Sequence, residues 1–169
     1  MYRVLWMSIL LLLSACSATR VSSVALPAQQ KVALMPLVNY TQTPLAGQRA
    51  EDMLASLWFQ QKLPTLLRYP RKAQGNLPSI DDQQRLDAAH AWLSHQSADY
   101  VLSGSIDEWR YKAGLDGEPT VSVTLQLVDK HTDKVIWSGT VAKTGWGRES
   151  VSSVGQKVIA QLISHIEGI

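Results

Sequence analysis

Val121, Val123, Leu125 and Leu127 alternate with Ser122, Thr124 and Gln126, a period of two that a strand with one buried face satisfies and a helix does not. The polar run Asp129-Lys130-His131-Thr132-Asp133 follows as a turn, and Val135, Trp137 and Val141 carry the alternation into a return strand, so residues 119–142 are expected to form a β-hairpin. Just upstream, Asp99 to Tyr111 is too rich in β-formers to be a helix. A sheet built on this hairpin has an apolar face to cover, and the rest of the chain must supply the cover.

Lys31 to Met35 reads as a short apolar strand stopped by Pro36. Leu37 to Leu45 reads as a loop, with Asn39, Thr41, Thr43 and Pro44 as turn formers. From Gly47 to Lys62 the apolar residues Ala50, Met53, Leu54, Leu57 and Trp58 share one helical face. Leu66 to Tyr69 is a candidate strand ended by Pro70, and Arg68, Arg71 and Lys72 open the loop that follows. Ser79 and Asp82 resemble a helix-capping box, after which Leu86, Ala89, His90 and Leu93 form a second stripe. Glu149 to Glu167 closes the chain as a helix with Val151, Val154, Val158 and Leu162 facing inward. The expected order is β-α-β-α-β-β-β-α: an α+β fold, a mixed β-sheet with packed helices, in a single domain over residues 31–169.

The beginning of the sequence is of another kind. After Arg3 an apolar run from Val4 to Leu13 is far shorter than the ~20 residues that cross a bilayer, and it ends in Leu13-Ser14-Ala15-Cys16. That pattern resembles a bacterial lipobox: residues 1–15 read as a signal peptide, and the single cysteine, Cys16, as the residue that receives the lipid. Several acyl chains hold a protein firmly where one is marginal, so such a modification implies stable anchoring. Ser17 in place of an aspartate implies, by the sorting rule of such lipoproteins, the outer membrane. Residues 17–30, rich in Ser, Ala, Val and Gln, read as a tether.

Composition narrows the function. With 16 Lys+Arg against 14 Asp+Glu and a formal charge of +2, there is no single-sign block suited to nucleic acid. The chain carries no G-x-S-x-G elbow, phosphate loop, H-E-x-x-H or Cys/His ligand set, so neither an enzyme nor a metal or other cofactor is expected. His90 and His95 read as helix residues, His131 and His165 as isolated ones, and Asp81 and Asp82 as carboxylates complementing a helix start.

Two segments are unlike scaffold. In 112–119, Lys-Ala-Gly-Leu-Asp-Gly-Glu-Pro, Gly114 and Gly117 allow a tight excursion that displays Asp116 and Glu118. In 144–149, Thr-Gly-Trp-Gly-Arg-Glu, Trp146 lies between glycines that give it no local neighbours, so it is either drawn into the core or offered outward. An exposed Trp146 beside Arg148 suits a bilayer interface, where the indole sits at headgroup level and a guanidinium reaches phosphates.

The segments 105–119, 144–150 and Ala33-Leu-Met-Pro-Leu-Val-Asn-Tyr40, together with the lipobox, resemble the PelC family, outer-membrane lipoproteins of Pel exopolysaccharide export. Ala98 to Ser105 and Lys134 to Trp137 are also similar to curli-secretion and synthase-activator lipoprotein domains. The resemblance implies a non-catalytic homo-oligomer, a ring of twelve on the periplasmic face of the outer membrane, beneath the porin that exports a cationic exopolysaccharide. It assigns the acidic lumen position to Asp116 and the membrane-facing aromatic to Trp146. The alternative is a monomeric lipoprotein that binds and activates a periplasmic enzyme such as a peptidoglycan synthase.

Overall fold

The structure is a computed structural model and describes residues 18–70, 73–74, 77–78, 81–114 and 117–169. Cys16, the expected signal peptide, Arg71, Lys72, Ser79 and Asp116 lie outside the described residues.

The strands are β1 (Ala18–Val21), β2 (Val24–Leu26), β3 (Lys31–Leu34) and β4 (Val38–Asn39), then β5 (Thr65–Arg68) after helix α1 (Ala46–Gln60). Next come β6 (Ala73–Gln74), β7 (Leu77–Pro78) and helix α2 (Asp82–Leu93). The long strands β8 (Tyr100–Tyr111), β9 (Pro119–Asp129) and β10 (Lys134–Thr144) precede helix α3 (Val151–Ile163) and β11 (Ile166–Gly168). The main sheet runs β1-β10-β9-β8-β3-β5, with β4 continuing beside β8. β3 is parallel to both β5 and β8, whereas β8, β9 and β10 form an antiparallel meander. The fold is α+β with a mixed sheet, as expected.

The hairpin expected from the alternation is present and longer than its sequence signature. Val121, Val123, Leu125 and Leu127 are buried, together with Trp137 and Val141 across the register. Val135 breaks the pattern: a bulge between Val135 and Trp137 shifts the phase, so Val135 faces solvent. On the sheet's other face the strands present hydroxyls. Asp107 accepts from Ser105 Oγ and Thr124 Oγ1, both at 2.7 Å, and Gln126 donates to Ser103.

Helix α3 closes the buried face with Val151, Val154, Val158, Ile159 and Leu162, and α1 packs beside it with Ala46, Ala50, Leu54 and Trp58; Met53 and Leu57 are partly buried against the same core. The second stripe is rotated from expectation: α2 buries Arg85 and Ala89, while His90 faces solvent. The cause is electrostatic. Arg85 donates to both oxygens of the buried Glu51 at 2.9 and 2.8 Å, and Trp92, on the same helical face, meets Tyr69 edge-on at 5.8 Å. Glu51 also accepts the N–H of Leu37, and Asp82 that of Asn39, so this ion pair ties both helices to the chain leaving β3. Asp81, one of the two acidic residues at that helix start, is its cap and accepts the N–H of Gln84 at 3.0 Å.

Two further expectations fail for one reason. The stretch read as a tether contains β1, paired antiparallel with β10, and β2. The last helix, expected to reach Glu167, stops at Ile163 because the chain turns into β11, which pairs in parallel with β2 through Ile166↔Val24, Glu167↔Ala25 and Gly168↔Leu26. Each segment is too short to announce itself, and each is ordered by a partner remote in sequence. Among the described residues no helix is long and apolar enough to cross a membrane.

Candidate functional site

The two segments singled out in the sequence meet at one end of the sheet. β8 and β9 are joined by 112–118, and the chain leaving β10 for α3 passes next to it, because Thr144 pairs with Thr120 and the Gly145 N–H donates to the Pro119 carbonyl at 2.8 Å. The β8–β9 connection is pinched shut by the Lys112 N–H, which donates to the Glu118 carbonyl at 2.8 Å. Gly114 at φ 146° and Gly117 at φ 49° take conformations that side-chain-bearing residues avoid. Glu118 is half-exposed with its Oε2 3.7 Å from Lys112 Nζ, a loose pair open to solvent. Asp116, between those glycines in sequence, is outside the described residues.

Trp146 is 82% exposed, which decides between core and surface in favour of surface. Its backbone is held although its ring is free. The Trp146 N–H donates to Glu149 Oε2 at 3.1 Å and its carbonyl accepts from the Glu149 N–H at 2.8 Å. A Cβ on Gly145 would lie 2.6 Å from both Glu149 Oε2 and Val154 Cγ2, so glycine is what lets the turn sit against the helix. Glu149 also accepts from Lys157, and these bonds, led by that of Lys157, hold its carboxyl below the usual carboxylate range. Ser150 then caps α3 by accepting the Ser153 N–H at 3.0 Å. Arg148 is exposed, without an ion-pair partner among the described residues.

Two features of this end were not legible from composition. Tyr111, in phase with Trp109 at the last position of β8, is half-exposed beside the 112–118 loop. Moreover, β1 runs away from this end, since Ala18 pairs with Ala142 and Val21 with Gly139. The chain therefore enters the domain next to the Trp146 turn.

His131 Nε2 is 3.8 Å from Asp99 Oδ1 at the opposite hairpin turn, and His165 Nδ1 is 3.5 Å from Ser23 Oγ. Among the described residues no group of three His, Cys, Asp or Glu could hold a metal ion.

Comparison with solved structures gives the lineage. The chain matches the PelC dodecamer from Paraburkholderia phytofirmans at 36% identity over 91% of this chain and 100% of that one, with a TM-score of 0.75. The chain belongs to the PelC family. A methionine-substituted variant of that PelC dodecamer matches at 37% identity over 91% of this chain and 100% of that one, with a TM-score of 0.76. Residues 32–142 also match the family model of the peptidoglycan-synthase activator LpoB. The lipoprotein GNA1162 from Neisseria meningitidis, at 16% identity over 80% of this chain and 96% of that one, shares the fold with a TM-score of 0.56. A sequence comparison with curated proteins finds no match.

Proposed function

We propose that this PelC-family chain is a non-catalytic, lipid-anchored homo-oligomer on the periplasmic face of the outer membrane, where it guides a cationic exopolysaccharide toward its porin. The observation that carries the reading is the convergence at one end of the sheet. The exposed Trp146, the glycine-bearing acidic loop and the start of β1 all lie there. Cys16 is separated from β1 by Ser17 alone. A diacylglycerol on Cys16 would therefore face the same bilayer as the indole, with Arg148 in reach of phosphates.

The acidic element is Asp116, as the resemblance to the PelC family implies, with Glu118 of the same loop 3.7 Å from the exposed Lys112. A lone carboxylate is screened within ~8 Å at physiological salt. Cyclic repetition around one opening, with protein walls of low dielectric, adds the fields of all copies. The contacts must stay weak for a polymer to be passed on rather than held. Assembly into such a ring is supported by the likeness to a PelC dodecamer over nearly the whole chain.

A second reading, a monomeric activator of a peptidoglycan synthase, is favoured by the LpoB model match over residues 32–142. An activator anchored in one membrane and acting at the other needs reach, and a single spacer residue at about 3.5 Å gives almost none. The mass of the full-length protein in mild detergent, with the Cys16 lipid read by mass spectrometry, separates the two. A closed assembly of about a dozen copies, as in the PelC relative, is expected; a lipidated monomer would transfer the case to the activator.

A further inference from the structure

Phe59, the only phenylalanine in the chain, is 84% exposed on the solvent side of α1, among the polar residues Arg49, Asp52, Ser56 and Gln60. Asp52 reaches Arg68 of edge strand β5 at 2.7 Å, so this side of the helix borders that edge of the sheet. At the other edge, β1 covers β10 only from Gly139 to Ala142, and just beyond its register Val135 and Ile136 are 56% and 40% exposed. The bulge is what turns Val135 outward; uninterrupted alternation would have buried it. Both patches are level. α1 ends just before Thr65 opens β5, parallel to β3 and β8, while Lys134 and Tyr100 both pair with Asp129 at that same end.

We infer that neighbouring copies of this chain join head to tail through these patches, Phe59 of one copy packing against Val135 and Ile136 of the next. The inference rests on the homo-oligomer reading and names its contact. A ring of three or more copies needs two different, complementary surfaces on each subunit, and these lie on opposite edges of the sheet. Their rims differ in charge: Arg49, Lys62 and Arg68 outnumber Asp52 around Phe59, whereas the hairpin tip carries Asp129 and Asp133 against Lys134, with Lys130 turned to the carbonyls of Leu93 and Gln96. Two backbone N–H donors, led by that of Thr132, hold Asp129 below the usual carboxylate range, so this carboxylate stays ionised for pairing with a basic rim. An apolar centre with complementary charged rims is the anatomy of a specific contact. Both patches lie at the end of the sheet opposite Trp146, leaving the Trp146 end free for a membrane.

The test uses full-length lipidated protein in mild detergent, with mass read by light scattering and folding by thermal unfolding. Phe59→Asp and Ile136→Asp should each reduce the assembly to a monomer that keeps its circular dichroism spectrum and a single cooperative unfolding transition, and Phe59→Gln should weaken association at least tenfold. Mixing the two aspartate variants should give dimers and nothing larger, because each brings one intact patch. A wild-type mass for either aspartate variant, or a mixture that stays monomeric, would overturn the contact while leaving the ring standing. A monomeric wild type would instead remove the homo-oligomer reading, and this contact with it.

Discussion

Trp146 and Glu149 hold each other through two hydrogen bonds: the Trp146 N–H donates to the Glu149 carboxylate at 3.1 Å, and the Glu149 N–H returns to the Trp146 carbonyl at 2.8 Å. An exposed indole is thus presented from an ordered turn. Glu149→Ala should leave the core intact and raise the exchange rate of the Trp146 amide by an order of magnitude or more, measured by hydrogen exchange at neutral pH. The carboxyl is held below its ordinary value of 4.5, so its contribution is complete above that value and lost as pH falls through the lower, folded one. Protection of the turn, corrected for intrinsic exchange, should accordingly decline only in acid, and a turn equally protected in Glu149→Ala would contradict this account.

The aromatic ring of Trp109 fills the space where Gly155 lacks a side chain. A Cβ at Gly155 would come within 2.4 Å of one ring carbon and 2.9 Å of another. Gly155→Ala should therefore cost about 1–3 kcal/mol despite the better helix propensity of alanine, read from denaturant unfolding. A neutral or stabilising result would mean that α3 can lift from the sheet.

Arg85 and Glu51 form a buried, bidentate ion pair. Arg85→Met should cost about 3–5 kcal/mol by leaving the carboxylate without its cation, while Arg85→Met with Glu51→Leu should recover much of that loss. The comparison of single and double variants is the check. Additive losses would show that each side chain acts through its other contacts, such as the bond from Glu51 to the Leu37 N–H.

Trp146 and Arg148 should meet lipid. Trp58, Trp109 and Trp137 are buried and Trp92 of α2 is half-buried, so brominated lipids should quench a fraction of the fluorescence that falls sharply in Trp146→Phe when the lipidated protein is reconstituted in vesicles. Arg148→Glu should weaken the contact with anionic headgroups and make it less salt-dependent. Unchanged quenching in Trp146→Phe would turn this surface away from the bilayer.

The long elements were legible because their signals are internal. The alternation at 121–127 names the buried face of β9 from its own residues, and the stripe from Ala50 to Trp58 does the same for α1. What was missed depends on partners elsewhere. β1 and β2 exist because β10 and β11 lend them hydrogen bonds, and nothing in Val24-Ala25-Leu26 points to residues 166–168. His90 was expected inward because apolar spacing ignores charge, and the Arg85–Glu51 pair set the helix face instead. At the candidate site, glycine spacing marked both loops, but only the register could show that they share one end of the sheet, and only burial could settle the exposure of Trp146.

The central claim, that a repeated acidic position guides a cationic polymer, is tested most directly at Asp116. Secreted polymer should be quantified in cells whose only copy carries Asp116→Ala or Asp116→Lys, with the amount, membrane fraction and oligomeric mass of each protein measured alongside. The account predicts wild-type assembly, reduced export with alanine and a several-fold deeper loss with lysine, where every copy would repel the polymer. Full export by the Asp116→Lys protein would contradict it.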